Sequence, residues 1–372
     1  MKQKITEIII AIGILLMGFL FAGIPNATGS SQIITLGKQE VQEETDIAVE
    51  YVYTNELVTP FYHLYGNYLD DFVDITLKNG NSYSVTVVVE TEIEGYTSRA
   101  AETIRLEANE EYTFSQNPRL LAESIDRLFS KKPGNFHIRV TQVAPGQSAL
   151  IVDDTQEIEL YSRRDFVWLP GDTFAEMTKL YAVWVTPTDP AVEALIRAAA
   201  DFIESRSIVN GYPENVENDD NGSVWRRLEA IWEAESQIYN LTYVSTDMTL
   251  SPNSVQRIRL PSEVLDQASG NCIDLVLLYA SAAEAMGLES AVIRLPGHAI
   301  LAVRTDLVNS IYYFIETTLI GQATFAEATA SGYQTWEEIN GYFGAEADAD
   351  DFYSWITVQQ AWSEGILPIP WN

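Results

Sequence analysis

SGNCIDLVLLYASAAEAMGL, residues 269 to 288, holds the only cysteine of a 372-residue chain. Between Cys272 and Met286 nearly every residue is apolar, and the exceptions Asp274, Ser281 and Glu284 fall at i, i+7 and i+10. On a helical wheel these lie within about 80° of one another, so the stretch predicts a central, buried helix. Gly287 stands where a helix C-cap favours glycine. Ser269-Gly270-Asn271 lead the chain in tightly and place the Cys272 sulfur in the first turn. There, unpaired N–H groups and the positive end of the helix dipole favour a thiolate.

A thiolate nucleophile needs a base, and the C-terminal half holds one histidine, His298, in PGHAILAVRT. Pro296-Gly297 opens an apolar strand there, and a second strand, IYYFIETT, follows the polar turn from Asp306 to Asn309. A hairpin centred near Leu307 would set Glu316 opposite His298. An acid in an otherwise apolar strand can accept the imidazole proton and orient the ring. Each residue also has a structural reading: an inert core thiol, a packed histidine, a solvated glutamate. Their conjunction at one helix start and across one hairpin favours chemistry.

The stretch RLPSEVLDQASGNCIDLVLLYASAAEAMGLESAVIRLPGHAILAV, residues 259 to 303, together with the IETT ending, resembles a prokaryotic branch of the transglutaminase-like superfamily. The resemblance implies a papain-like α+β domain over the C-terminal half, with Cys272 as nucleophile, His298 as general base and Glu316 as orienting acid. Most of that superfamily has aspartate at the third position, so Glu316 is a departure. The resemblance also implies an oxyanion hole built from the Cys272 backbone N–H and an upstream side chain, for which Gln267 is the candidate. The implied reaction is cysteine-dependent acyl transfer or amide hydrolysis on a peptide or protein substrate, through a thioester and with no cofactor or metal. The alternative is a non-catalytic binding or scaffold protein with a degenerate domain of this type.

The rest of the chain predicts a different architecture. From Asp46 to about residue 164, alternating runs such as FVDITL, YSVTVVVE, FHIRVTQV and ALIVDD predict an antiparallel β-sandwich of immunoglobulin type. Asn79-Gly80 serves as a hairpin turn in this reading, and PRLLAESIDRLF as a helical insert. The fold class is therefore α+β: a β-sandwich over 46–164 followed by a transglutaminase-like domain over 165–372. His63 and His137 lack ligand-spaced partners and read as packing or surface residues. GYPENVENDDNGS has the Asp/Asn content of a calcium loop, but with Gly222 at the sixth position of such a loop the twelfth falls on Leu228 rather than Glu, so it reads as a solvated loop. Asn240-Leu241-Thr242 matches a glycosylation sequon.

With 22 Lys and Arg against 53 Asp and Glu, the chain carries a formal charge of −31. Such a surface repels a phosphate backbone and argues against nucleic acid as a partner. At the N-terminus, Lys2 and Lys4 precede an apolar run from Ile8 to Ile24, which predicts a transmembrane anchor or signal peptide over 1–29 and a polar linker over 30–45. The expected location is extracytoplasmic, anchored to the membrane through that segment or secreted after cleavage.

Overall fold

The computed structural model describes residues 36–41, 46–168, 173–246, 255–343 and 352–370. The fold is α+β, with mostly antiparallel sheets. The first region carries β1 (Leu36–Val41), β2 (Ile47–Thr54), β3 (Glu56–Val58), β4 (Val73–Asn79), β5 (Val85–Ile93), β6 (Ala100–Leu106), β7 (Glu111–Gln116), β8 (Lys132–Ala144) and β9 (Gln147–Tyr161). They form a four-stranded sheet, β1-β2-β4-β7, and a five-stranded sheet, β3-β9-β8-β5-β6. The two sheets face each other as the alternating burial of β2, β4 and β5 requires. Tyr53 stacks on Phe136 at 5.3 Å, Phe72 meets Phe136 edge-on at 5.2 Å, and Tyr51 Oη donates to Asp154 across the gap at 2.6 Å. The expected insert is a single short helix, α1 (Ala122–Asp126).

Asn79-Gly80 is not a hairpin turn. β4 pairs with β2 and β7 in one sheet, while β5 pairs with β6 and β8 in the other. The reason is visible at Asn79, which is fully buried. Its side-chain amide donates to the carbonyls of Tyr83 and Glu107 at 2.9 and 2.8 Å and accepts from Asn81 N at 3.0 Å. The next amide, Gly80 N, donates to Asp46 O at 2.5 Å. Those bonds stabilise a corner in which the chain crosses from one sheet to the other, and a two-residue turn would leave them unmade.

The remainder contains β10 (Asp165–Val167), α2 (Phe174–Lys179), α3 (Pro190–Ala199), α4 (Ser223–Glu233), β11 (Thr242–Tyr243), β12 (Val255–Arg257), α5 (Pro261–Gln267), β13 (Ser269–Gly270) and α6 (Cys272–Ala285). After these come β14 (Ser290–Leu295), β15 (His298–Arg304), β16 (Tyr312–Ile315), α7 (Phe325–Ile339), β17 (Ser354–Thr357) and α8 (Val358–Ser363). An antiparallel sheet, β16-β15-β14-β17, is covered on both faces. Val292, Ala299, Leu301, Val303 and Ile315 join the main core with α6, while Ala291, Ile293, Ile300, Ala302 and Phe314 pack with Trp336, Trp355 and Ile339 in a second cluster. A strand buried on both faces reads as a continuous apolar run, which is how AVIRL and HAILAV read. Within α6, Leu275, Leu277 and Leu278 are at most 2% exposed, each contributing roughly 1.5–3 kcal/mol by burial.

The main core runs without interruption from the sandwich into this region. Phe61 meets Phe166 and Trp184 edge-on, and Phe166 stacks on Tyr181 at 4.5 Å. The residue 164/165 boundary thus crosses a shared core, and the described residues form one compact unit.

The expectation of a transmembrane helix is corrected. Among the described residues no helix is long and apolar enough to cross a membrane. The run Ile8–Ile24 that prompted it, with the rest of the expected 1–29 segment, lies outside the described residues.

Candidate active site

Two local devices place the cysteine. Ala268 ends α5 in the left-handed conformation, φ 49°, which turns the chain sharply into β13. Asn271 then caps α6: its side chain accepts from Asp274 N at 3.0 Å, and the Asp274 carboxylate accepts from Asn271 N at 3.1 Å. This reciprocal cap sets Cys272 as the first helical residue, 3% exposed. Burial raises the Asp274 carboxyl, with the backbone N–H bonds of Arg259 and Asn271 opposing it.

The polar residues of α6 are not a solvent stripe. Ser281 Oγ donates to Leu277 O at 2.7 Å and accepts from Thr186 N at 2.9 Å. Glu284 accepts from Ser290 N and Oγ and from Gln359 Nε2, and burial pushes its carboxyl up to about 7. Each is buried and satisfied, which lets a helix be enclosed on all sides.

His298 is placed by a two-residue turn. Pro296 and Gly297 join β14 to β15, with Leu295 paired to His298 across the turn. Gly297 has φ 73°, the left-handed value that the second residue of such a turn needs, and proline pre-sets the first. The buried Arg294 guanidinium donates to the carbonyls of Leu295 and His298, tying the turn from beneath. His298 is therefore the first residue of its strand, at the end of an interior strand of the sheet.

Glu316 arrives by a register different from the expected one. The β15–β16 ladder pairs Leu301 with Ile315 and Arg304 with Tyr312, so its continuation sets His298 opposite Thr318 rather than Glu316. The slip is two residues, which preserves the face of the sheet, and Glu316 is the diagonal neighbour that a long side chain can reach. Glu316 lies just past the end of β16. Its carboxylate accepts from Thr318 N at 3.2 Å and from Thr318 Oγ1 at 2.6 Å, and its backbone N donates to Ala328 O on α7 at 3.1 Å.

The structure thus brings three of the four expected residues together. His298 Nε2 lies 2.7 Å from Glu316 Oε2, and the imidazole also hydrogen-bonds Cys272. With Nε2 committed to the carboxylate, Nδ1 is the nitrogen that the thiol can use. Burial works to lower the His298 pKa, but the Cys272 and Glu316 hydrogen bonds and charges outweigh it and raise the ring to about 9. For Glu316, burial works upward, yet His298 and Thr318 hold the carboxyl below its usual range. Gln267 ends α5, is exposed and lines a cleft together with Asn271 and Asp274 at the start of α6; no hydrogen bond among the described residues joins it to the other three.

Tyr181 and Arg294 belong to the same neighbourhood and were not expected. Burial pushes the Tyr181 hydroxyl up to about 12, Arg294 opposing and the ionised form of Cys272 adding to it, and that hydroxyl donates to Gln256 Oε1 at 2.7 Å. An arginine inside the apolar run SAVIRL was a signal for Arg294; nothing around Tyr181 marked it. The other two histidines lie elsewhere. His63 hydrogen-bonds Leu367 O at 2.7 Å, and His137 pairs with Asp153 on the five-stranded sheet at 2.6 Å. In the Asp/Asn-rich loop, Asp219 is buried and accepts from Val224 N and Trp225 N, which satisfies first-turn amides of α4 from outside its N-cap residue, Gly222.

No family model and no curated protein matches the chain. Among solved structures, a protein from Archaeoglobus fulgidus is similar at 8% identity and a TM-score of 0.21, over 35% of this chain and 96% of its own. A protein provisionally assigned to the late embryogenesis abundant (LEA) group is similar at 15% identity and a TM-score of 0.18, over 43% of this chain and 86% of its own. Neither likeness carries an argument about fold or function.

Proposed function

We propose that the chain is a cysteine-dependent acyl-transfer or amide-hydrolysing enzyme of transglutaminase-like type acting on a peptide or protein amide. The observation that supports this reading is one imidazole held between a helix-start thiol and a buried carboxylate. The resemblance of residues 259–303 and the IETT ending to the superfamily is its second support.

In this reading His298 takes the Sγ proton and Glu316 holds the resulting imidazolium through Nε2–H. The sulfur attacks the amide carbonyl carbon, and the oxyanion that forms is met by the Cys272 backbone N–H. As the carbon–nitrogen bond breaks, His298 returns the proton to the departing amine. Water or a second amine, deprotonated by His298, then attacks the thioester and releases the acyl group with the thiol restored.

A generic acyl donor tests the proposal without knowledge of the substrate. Mixing the protein with p-nitrophenyl acetate should release nitrophenolate in a burst of about one equivalent per chain, with the acetyl group mapped to Cys272 by mass spectrometry. The Cys272→Ala variant should show no burst. A burst that persists in that variant, or none from the folded wild-type protein, rules the reading out.

A further inference from the structure

Beside the start of α6 lies a cleft of about 480 Å³, within the size range of ligand sites. Asn271, the residue before Cys272, lines it together with Asp274, Gln256 and three arginines, Arg164, Arg257 and Arg259. In a chain with 53 acidic residues against 22 basic ones, three guanidinium groups meet at one cleft, each beside one carboxylate.

Their arrangement has a direction. Arg257 pairs with Asp165, Arg259 lies 3.9 Å from Asp274, and Arg164 hydrogen-bonds Glu263. For two of the pairs the carboxylate lies behind: the side chains of Asp165 and Asp274 are 4% and 2% exposed, against 53% and 29% for Arg257 and Arg259, while Glu263 and Arg164 lie side by side at 21% and 31%. A guanidinium has five N–H donors, so one carboxylate behind it leaves others directed outward. Arg259 has one more fixed bond, to Ser269 O at 2.8 Å, which holds it in place.

A second observation is independent of charge. Gln256 is 7% exposed, its Oε1 is taken by Tyr181, and its buried Nε2 has no hydrogen-bond partner. An unmade bond of this kind costs about 1–3 kcal/mol, which an acceptor bound against Gln256, a lining residue of the cleft, would offset.

We infer that this cleft binds the part of the substrate next to the reacting amide, and that it selects a peptide carrying carboxylate side chains there. The arginines receive the carboxylates, and Gln256 Nε2 donates to a substrate carbonyl. The inference rests on the proposed acyl-transfer site and adds the class of substrate to it.

The test is protection of Cys272 from iodoacetamide at low ionic strength, where exposed charges are least screened. Two capped tripeptides serve as protectants: glutamine followed by two glutamates, and three glutamines. The acidic peptide should protect at about tenfold lower concentration, the difference that one or two charge-assisted contacts make. Arg257→Gln should remove most of that preference, whereas Arg139→Gln on the five-stranded sheet should keep it. Gln256→Met, close in size, should weaken protection by both peptides alike. Equal protection by the two peptides, protection by neither, or an unchanged preference in Arg257→Gln overturns the inference. In those cases alkylation of Cys272 still proceeds and the acyl-transfer reading stands. If iodoacetamide fails to alkylate the folded protein at all, that reading falls and takes the inference with it.

Discussion

The His298→Gln variant is expected to acylate Cys272 with p-nitrophenyl acetate on the order of a hundredfold to ten-thousandfold more slowly than wild type, the usual span for loss of a general acid–base group. Glutamine can still contact the Glu316 carboxylate, so the fold should persist; what it cannot do is accept the sulfur proton. Glu316→Gln should cost less, about tenfold to a hundredfold, because it weakens the group that orients the ring without removing the ring. His137→Gln, on the outer face of the sandwich, provides the control and should react as wild type does. An unchanged acylation rate in His298→Gln would remove the imidazole from the chemistry, however close it lies to the thiol.

The second large effect concerns Gly332, in the middle of α7. A Cβ there would sit 2.5 Å from the carbonyl carbon of Phe314 and 2.7 Å from Ile315 N, both backbone atoms of β16. Replacing a helix-interior glycine with alanine ordinarily stabilises by about 0.5–1 kcal/mol. Here the contact is with backbone, which cannot rotate aside, so α7 must lift from the sheet. Gly332→Ala is expected to destabilise by about 3 kcal/mol, at the upper end for overpacking. Glu316 follows two residues after Phe314 and is pinned to α7 through Ala328 O, so the same lift should displace it. Denaturant unfolding should therefore show a lower midpoint, together with slower acylation of the protein that remains folded. A stability equal to or above wild type would show that the helix does not approach the strand this closely.

The site was legible where local chemistry fixes it. The Ser-Gly-Asn lead-in to Cys272, the apolar run through Met286 and the Pro-Gly opening of the strand at His298 are each short-range signals, and the structure starts α6 at Cys272 and β15 at His298. What the sequence did not show depends on distant pairing. The alternation of FVDITL and YSVTVVVE identified both strands, but not that buried Asn79 diverts them into opposite sheets. The β15–β16 register was read two residues short, an error that side-chain alternation tolerates because it preserves the face. Gln267 was near Cys272 along the chain, and the left-handed turn at Ala268 leaves it lining one cleft with the α6 cap residues Asn271 and Asp274. Tyr181 reaches the thiol from 91 residues before it and brings Gln256 and Arg294 with it, 16 residues before and 22 after, a juxtaposition that only tertiary packing creates.

The pairing of His298 with Cys272 and Glu316 is the centre of this account, and it has a measurable titration. A folded-state pKa raised from 6.5 to about 9 means that the stability contributed by the charged ring is fully present below about pH 6.5 and is lost as pH rises through about 9. The chain has three histidines, so NMR of histidine-labelled protein can follow each imidazole, with His298→Gln assigning the resonance. The account predicts that His298 titrates near 9 in the folded wild-type protein and at a lower pH in both Cys272→Ala and Glu316→Gln. A His298 that titrates at or below 6.5 and responds to neither substitution would contradict it.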